Sequence, residues 1–360
     1  MCRAITSSIL LSRYKIIVGT DAALEQRLLP AILPMSMICT SVRQSIIARW
    51  GFAVSLVLAA ASMDVASANE FVGPATRPLR LADLDDWIIC TRHLPLPTNR
   101  NNVCGQMRYW KRVAETWVLS SPREFHDTLA PNSTVCIFVD GNRIEPEEAD
   151  FRGKIVRRKL DCCETPVRFV NWSWPSEQIR GPVRDARAKI ARANGDAYYL
   201  ASWISQLSDS QSTSLIGYSL GSRTVSGAVH MLEGGAFATN SLGGATSAVN
   251  PRVLFIAATV PHRWLQRGGA NELFFMRADR VLSIYNSDDK VLRLFKYDRS
   301  SDGGIVLGHR PMPPAKLGPV APLVRQVDVA SRIKKNHGLQ CYMNAIGQKA
   351  ICEFVAGDAG

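Results

Sequence analysis

Gly217-Tyr218-Ser219-Leu220-Gly221 sets a serine between two glycines, each two residues away, and it does so at a junction where the chain changes character. An apolar, β-prone run, Thr213 to Ile216, leads in, while Val225, Ala228, Val229 and Leu232 lead out at helical spacing. The order is strand, serine, helix. A sharp turn there brings the two backbones together, so the second neighbours must be almost free of side chain, and Gly217 and Gly221 meet that need. The turn lifts the serine hydroxyl out of the sheet and sets the amide of Leu220 at a helix N-terminus, where it can donate to a developing oxyanion. That is the equipment for acyl transfer. The plainer alternative is a Gly/Ser-rich turn ahead of a buried helix.

A serine attacks only when a base takes its proton, and the base needs an acid to hold its tautomer and stabilise the imidazolium. On a strand-turn-helix nucleophile the partners follow in the order Ser, Asp/Glu, His, each on a loop after a later strand. Asp288 and Asp289 come directly after the run Val281 to Tyr285. Asp289, which leads into Lys290-Val291-Leu292, is the expected acid and Asp288 the alternative. Two histidines follow them. His309 lies in a Gly/Pro-rich loop with no strand directly before it, whereas His337 comes between a short final strand at Val327 to Val329 and the last helix. His337 is the expected base.

These residues need a scaffold that brings strand ends together. Asp86 to Thr91, Thr134 to Val139, Pro166 to Asn171, Val253 to Val260 and Val281 to Tyr285 are short apolar runs bounded by turn residues, as strands buried on both faces should be. Tyr109 to Leu119 alternates like a strand, and His93 to Gln106, with two prolines and three asparagines, reads as loop. Ser121-Pro-Arg-Glu124 is a capping box with proline at the first helical position. Between the strands lie a Glu/Arg-rich helix after Asp140-Gly-Asn-Arg143 and a long helix over 183–207, with Ile190, Ala197, Leu200, Trp203 and Leu207 on one stripe. Glu233 to Asn250, poor in large side chains, reads as a mobile loop or linker, and Ser300 to Pro322 as Gly/Pro-rich loop. A last helix is expected from Leu339 to Val355. Strands alternating with helices call for an α/β fold, a doubly wound, mostly parallel sheet flanked by helices in a single domain.

The N-terminal part reads differently. Arg43 to Arg49 is basic, Trp50 to Ala61 is an apolar stretch too short to span a bilayer, and Ala66-Ser-Ala68 is a small-residue cleavage site before Asn69. The expectation is an exported protein, periplasmic or extracellular, with a signal peptide cleaved after Ala68, translation starting at Met35 or Met37, and a domain over 69–360. An uncleaved signal would leave it membrane-anchored. Loss of residues 1–68 takes six Lys/Arg and three Asp/Glu from the 43 and 31 of the full chain and leaves a formal charge of +9. That surplus suits an anionic surface. The basic residues are scattered, without the aromatic interleaving of a nucleic-acid reader, so no nucleic-acid partner is expected. Of nine cysteines, Cys2 and Cys39 leave with the leader, and Cys90, Cys104, Cys136, Cys162, Cys163, Cys341 and Cys352 remain, an odd number free to oxidise on export. None has metal-site spacing, no phosphate loop is present, and no cofactor is expected. The sequence does not fix an oligomeric state.

Phe138-Val-Asp-Gly-Asn142, Trp172-Ser-Trp-Pro-Ser176, Gly217-Tyr-Ser-Leu-Gly-Ser222, Asn286-Ser-Asp-Asp-Lys-Val-Leu292 and His337 together resemble an exported branch of the α/β-hydrolase superfamily, over most of the chain from about Asp86 onward. The resemblance implies a serine hydrolase of the esterase or lipase kind, with Ser219, Asp289 and His337 catalytic and a small-molecule or lipid acyl substrate. Members usually carry His-Gly after the early strand. Here Asp140 stands in place of that histidine, with the amides of Gly141 and Asn142 as the implied second oxyanion donors. A carboxylate there opposes a developing oxyanion unless it is paired, and Arg143 is the nearest candidate in sequence. The alternative implied by the substitution is a hydrolase-fold binding or envelope-associated protein without catalysis.

Overall fold

The side chains of Thr134–Val139, strand β4, are all buried, but they serve two different cores: Val135, Ile137 and Val139 join one, Cys136 and Phe138 the other. Successive side chains on a strand point to opposite faces, so an uninterrupted apolar run requires helices on both sides of the sheet. The computed structural model describes residues 85–97, 106–244, 247–294 and 304–357, all within one compact unit, Arg49–Gly360. The expected leader and Cys104 lie outside the described residues.

Among the described residues, nine strands form one sheet in the order β11-β10-β9-β6-β4-β5-β1-β2-β3. They are β1 (Asp86–Cys90), β2 (Arg108–Val113), β3 (Thr116–Ser120), β4, β5 (Val167–Ser173), β6 (Thr213–Tyr218), β9 (Arg252–Ile256), β10 (Arg280–Tyr285) and β11 (Val324–Asp328). From β11 to β1 every pairing is parallel, and β2 and β3 add an antiparallel hairpin at one edge. The protein is an α/β domain with a doubly wound, mostly parallel sheet. The chain leaves β4 for β5 on one side and later returns to β6 on the other. That reversal of strand order lies at β4 and β6, and sheets of this kind place their chemistry beyond the carboxyl ends of the strands at such a point.

One face is covered by the long helix α3 (Pro182–Ile204) and by α4 (Gly221–Leu232). Ile190, Ala197, Leu200, Trp203 and Leu207 are buried as their spacing implies, and every residue of α4 is buried. Each large apolar side chain so enclosed contributes roughly 1.5–3 kcal/mol. The other face is covered by α2 (Pro146–Arg157), α9 (Leu339–Ala345) and α10 (Gln348–Ala356), through Val156, Tyr342, Met343, Ile351 and Val355.

Several local expectations are corrected. Tyr109 to Leu119 is two strands, β2 and β3, joined through Ala114 in the left-handed region at φ 52°. The capping box at α1 (Pro122–Asp127) is half formed: Ser121 accepts from the Glu124 amide at 3.1 Å, while the Glu124 carboxylate takes the Ser120 hydroxyl instead. Glu233 to Asn250 is more than a loop. Ala238 and Thr239 sit at φ of 49° and 67°, closing a ribbon of β7 (Ala236–Phe237) and β8 (Asn240–Ser241) that buries Phe237 edge-on to Trp264. Val253 to Val260 leaves the sheet after Ile256, where Ala257 turns at φ 48°. Ser300 to Pro322 holds a short helix, α7 (Pro314–Leu317), and a 3-10 turn, Gly318–Leu323. The single C-terminal helix is two, because Ile346 is extended and Gly347 is a poor helix interior and caps the second.

Candidate active site

Ser219 follows the last residue of β6 with φ 50°, a left-handed conformation that costs an L-residue about 1–2 kcal/mol. The surroundings over-determine it. Its amide donates to the Ile256 carbonyl at 3.0 Å, and its carbonyl accepts from the hydroxyls of Ser222 at 2.5 Å and Thr259 at 3.0 Å. A methyl group on Gly217 would lie 2.7 Å from the Ser222 Cα, and one on Gly221 would lie 2.1 Å from the Val139 carbonyl oxygen. Gly217 is therefore needed for the helix to fold back over its own strand, and Gly221 for the helix start to pass the end of β4. Strain of this kind, held in place by neighbours, is typical of functional sites.

The Ser219 Oγ lies 3.2 Å from Nε2 of His337, and Nδ1 of the same ring lies 2.7 Å from Oδ2 of Asp289. A buried carboxylate on Nδ1 fixes the tautomer: the proton sits on Nδ1 and the Nε2 lone pair faces the serine. Asp289 is fully buried, whereas Asp288 is exposed. The other Asp289 oxygen accepts from the amides of Val291 at 2.8 Å and Leu292 at 3.1 Å, capping α6 (Lys290–Leu294). The loop carrying His337 is tied to the end of β10 by Asn286, whose Nδ2 donates to the carbonyls of Lys334 at 2.7 Å and Asn336 at 3.0 Å. Tyr218 donates its hydroxyl to the His337 carbonyl at 2.6 Å, with its ring 5.7 Å from the imidazole. His309, the other sequence candidate, is not in this relay. Its Nδ1 is buried without a hydrogen-bond partner among the described residues, and burial lowers its pKa.

Tyr342 on α9 was not visible from the sequence as a site residue. Its hydroxyl donates to Asp289 Oδ2 at 2.9 Å, the same oxygen that His337 uses. Burial first, and then the neighbouring carboxylate, hold this phenol well above its ordinary range, so it is a donor.

The loop after β4 also differs from expectation. Asp140 is paired, but with Arg152 of α2, at 2.8 Å and 3.1 Å, rather than with Arg143. Arg143 instead reaches Asp185 at 3.1 Å. Its backbone is left-handed at φ 62°, with its amide on the Ser176 carbonyl. That turn swings the Arg143 side chain away from Asp140, while Arg152, twelve residues on, is returned to the loop by α2. The second Asp140 oxygen accepts from the Gly141 amide at 2.6 Å. This corrects the expected donor set: the Gly141 amide is already engaged. Among the described residues nothing accepts from the amides of Leu220 or Asn142.

Cys163 and Cys352 form a disulfide between the turn after α2 and the last helix, a pairing the cysteine spacing did not reveal. Cys136 is a fully buried free thiol whose pKa burial pushes up to about 12, in keeping with a core role.

The architecture and the site together define an α/β domain with a serine, histidine and aspartate hydrogen-bonded in series at the strand-order reversal. No protein-family model matches the chain, and no curated protein matches it. Among solved structures it is similar to esterase B from Lactobacillus rhamnosis inhibited by a tributyrin phosphonate, at 10% identity and a TM-score of 0.33, over 88% of this chain and 96% of that one. It is also similar to a lipase-esterase related protein from Clostridium acetobutylicum, at 11% identity and a TM-score of 0.30, over 62% of this chain and 93% of that one. Likenesses this slight carry no chemistry across to this chain.

Proposed function

We propose that this protein is a serine hydrolase of the α/β-hydrolase kind that cleaves an ester or related acyl bond of a small-molecule or lipid substrate. The observation that carries the reading is the series Ser219 Oγ, His337, Asp289, with contacts of 3.2 Å and 2.7 Å, on a serine held at φ 50°. Ser219 Oγ attacks the acyl carbon as His337 Nε2 takes its proton, and the ionised Asp289 stabilises the imidazolium. The amides of Leu220 and Asn142 donate to the oxyanion, supported by their lack of an acceptor among the described residues. His337 then returns the proton to the leaving alcohol. In the second half, His337 deprotonates water, which attacks the acyl-enzyme and releases acid and Ser219. The protein is proposed to act outside the cytoplasm, on the tripartite leader that ends at Ala68.

Labelling by a fluorophosphonate at neutral pH, with mass spectrometry to locate the adduct, tests this. An adduct on Ser219 that is lost in His337→Ala is the expected result. An adduct elsewhere refutes the assignment of Ser219, and no adduct on folded protein leaves a non-catalytic binding protein.

A further inference from the structure

We propose that Tyr342 is a positioning residue that sets the basicity of His337 through the Asp289 carboxylate. The inference rests on the reading of His337 as the base for its effect on turnover, but its primary readout does not require turnover.

Asp289 accepts four hydrogen bonds, two on each oxygen. On Oδ1 both come from backbone amides. On Oδ2 they come from His337 Nδ1 and Tyr342 Oη, at 2.7 Å and 2.9 Å. The two side-chain donors therefore share one oxygen. The Tyr342 ring is fully buried. A hydroxyl on Oδ2 does two things. It stops the carboxylate from turning about its Cβ–Cγ bond, which keeps Oδ2 in line with the imidazole. It also draws negative charge from that oxygen, so the field felt by an imidazolium at His337 is weaker than that of a carboxylate bonded to histidine alone. The first effect favours proton transfer. The second loosens the carboxylate's hold on an imidazolium, which a base must give up to return its proton.

Other charged and titratable groups are near this pair. Tyr218 of β6 lies against the imidazole, His309 of the loop before α7 is close enough to Asp289 to feel its charge, and the exposed Lys334 and Lys335 are in the histidine's own loop. Among the described residues, Tyr342 is the one of these that hydrogen-bonds the oxygen His337 uses.

The experiment is a pH titration of the His337 imidazole by NMR in wild type, Tyr342→Phe, Asp289→Asn and the double variant, with thermal melts to establish folding. Phenylalanine keeps the ring and removes one oxygen. The expected result is a titration midpoint displaced upward by on the order of one pH unit in Tyr342→Phe. No displacement is expected when the same change is made in Asp289→Asn, because the effect travels through the carboxylate charge. Where an ester substrate is turned over, the acid limb of kcat/KM moves up with it, and the rate on that limb falls about tenfold. An unmoved midpoint in folded Tyr342→Phe, or an equal displacement in the Asp289→Asn background, overturns the proposal. Should Tyr342→Phe not fold, 3-fluorotyrosine at position 342, nearly isosteric and a stronger donor, must displace the midpoint downward, and an unmoved midpoint there is equally fatal. A displaced midpoint in a protein that no fluorophosphonate labels leaves the positioning role intact and removes the hydrolase reading.

Discussion

The Asp140 carboxylate bridges two elements: one oxygen lies 2.8 Å from Arg152 Nε on α2, and the other lies 2.6 Å from the Gly141 amide in the loop beside Ser219. Arg152 in turn lies over the Tyr218 ring, 5.3 Å from its centroid, and Tyr218 holds the His337 carbonyl. The pair thus connects the loop after β4 to the residue preceding Ser219 and to the loop carrying His337. On the proposed mechanism it also neutralises a carboxylate that would otherwise oppose the oxyanion.

Both partners are largely buried, with 13% of the Arg152 side chain and 4% of the Asp140 side chain exposed. Removing Arg152 strands Asp140, and removing Asp140 leaves Arg152 with a 3.9 Å contact to Glu148 and the Tyr218 ring. Asp140→Ala should destabilise the fold by about 3–5 kcal/mol, and Arg152→Met by a comparable amount. The double variant should recover much of the loss, because no buried charge is left alone. Denaturant unfolding of the three variants measures this, and additive losses would show that the pair is not coupled.

At Ser219 the prediction separates side chain from backbone. Ser219→Ala and Ser219→Gly should both abolish acyl transfer. Only glycine relieves the left-handed backbone, so Ser219→Gly should be more stable than Ser219→Ala by about 1 kcal/mol, offset in part by its larger unfolded-state entropy. Melting temperatures of the two variants decide it.

For the acid, burial and bonding pick out Asp289. Asp289→Asn keeps the shape but, with its oxygen held by the two backbone amides, turns a donor toward both His337 and Tyr342, and should lower kcat/KM by about 10⁴-fold, as in serine proteases. Asp288→Asn, at an exposed position, should leave kcat/KM within a few-fold of wild type. The reverse pattern, read by steady-state kinetics on a nitrophenyl ester, would transfer the role to Asp288.

How far these residues could be read beforehand follows from where their signals lie. The elbow was legible because its pattern is local: the two glycines flank the serine within five residues, though Gly217 is needed against Ser222 and Gly221 against the end of β4, and the strand and helix beside them have their own periodicities. Ser219, Asp289 and His337 could be named as candidates because chain order and strand ends constrain them. Arg152 and Tyr342 could not, since an arginine on a charged helix and a tyrosine on an apolar face are ordinary in sequence. Their roles exist only once α2 and α9 are packed on the sheet. The ribbon at Ala236–Ser241 was missed for a different reason: its turn uses Ala238 and Thr239 at positive φ, where glycine or asparagine is the usual signal.

The Cys163–Cys352 disulfide closes a loop of 189 residues and joins the turn after α2 to α10. The closed segment includes Ser219, Asp289 and His337, and α10 follows α9, which carries Tyr342. A cross-link spanning so long a segment restricts the unfolded chain more than a short one does, with typical stabilisation of about 2–4 kcal/mol. Cys352 is buried against the core, so a serine pair in its place loses the cross-link and adds a polar group that must find a partner. Cys163→Ser with Cys352→Ala should therefore lower stability in oxidising buffer by about 2–4 kcal/mol. In strong reductant the wild type should converge on the variant. The check is a set of urea melts with and without reductant, with free thiols counted in each. Equal midpoints for wild type and variant under oxidising conditions, with the bond shown by mass spectrometry to be formed, would mean that packing of α10 alone holds this end of the chain.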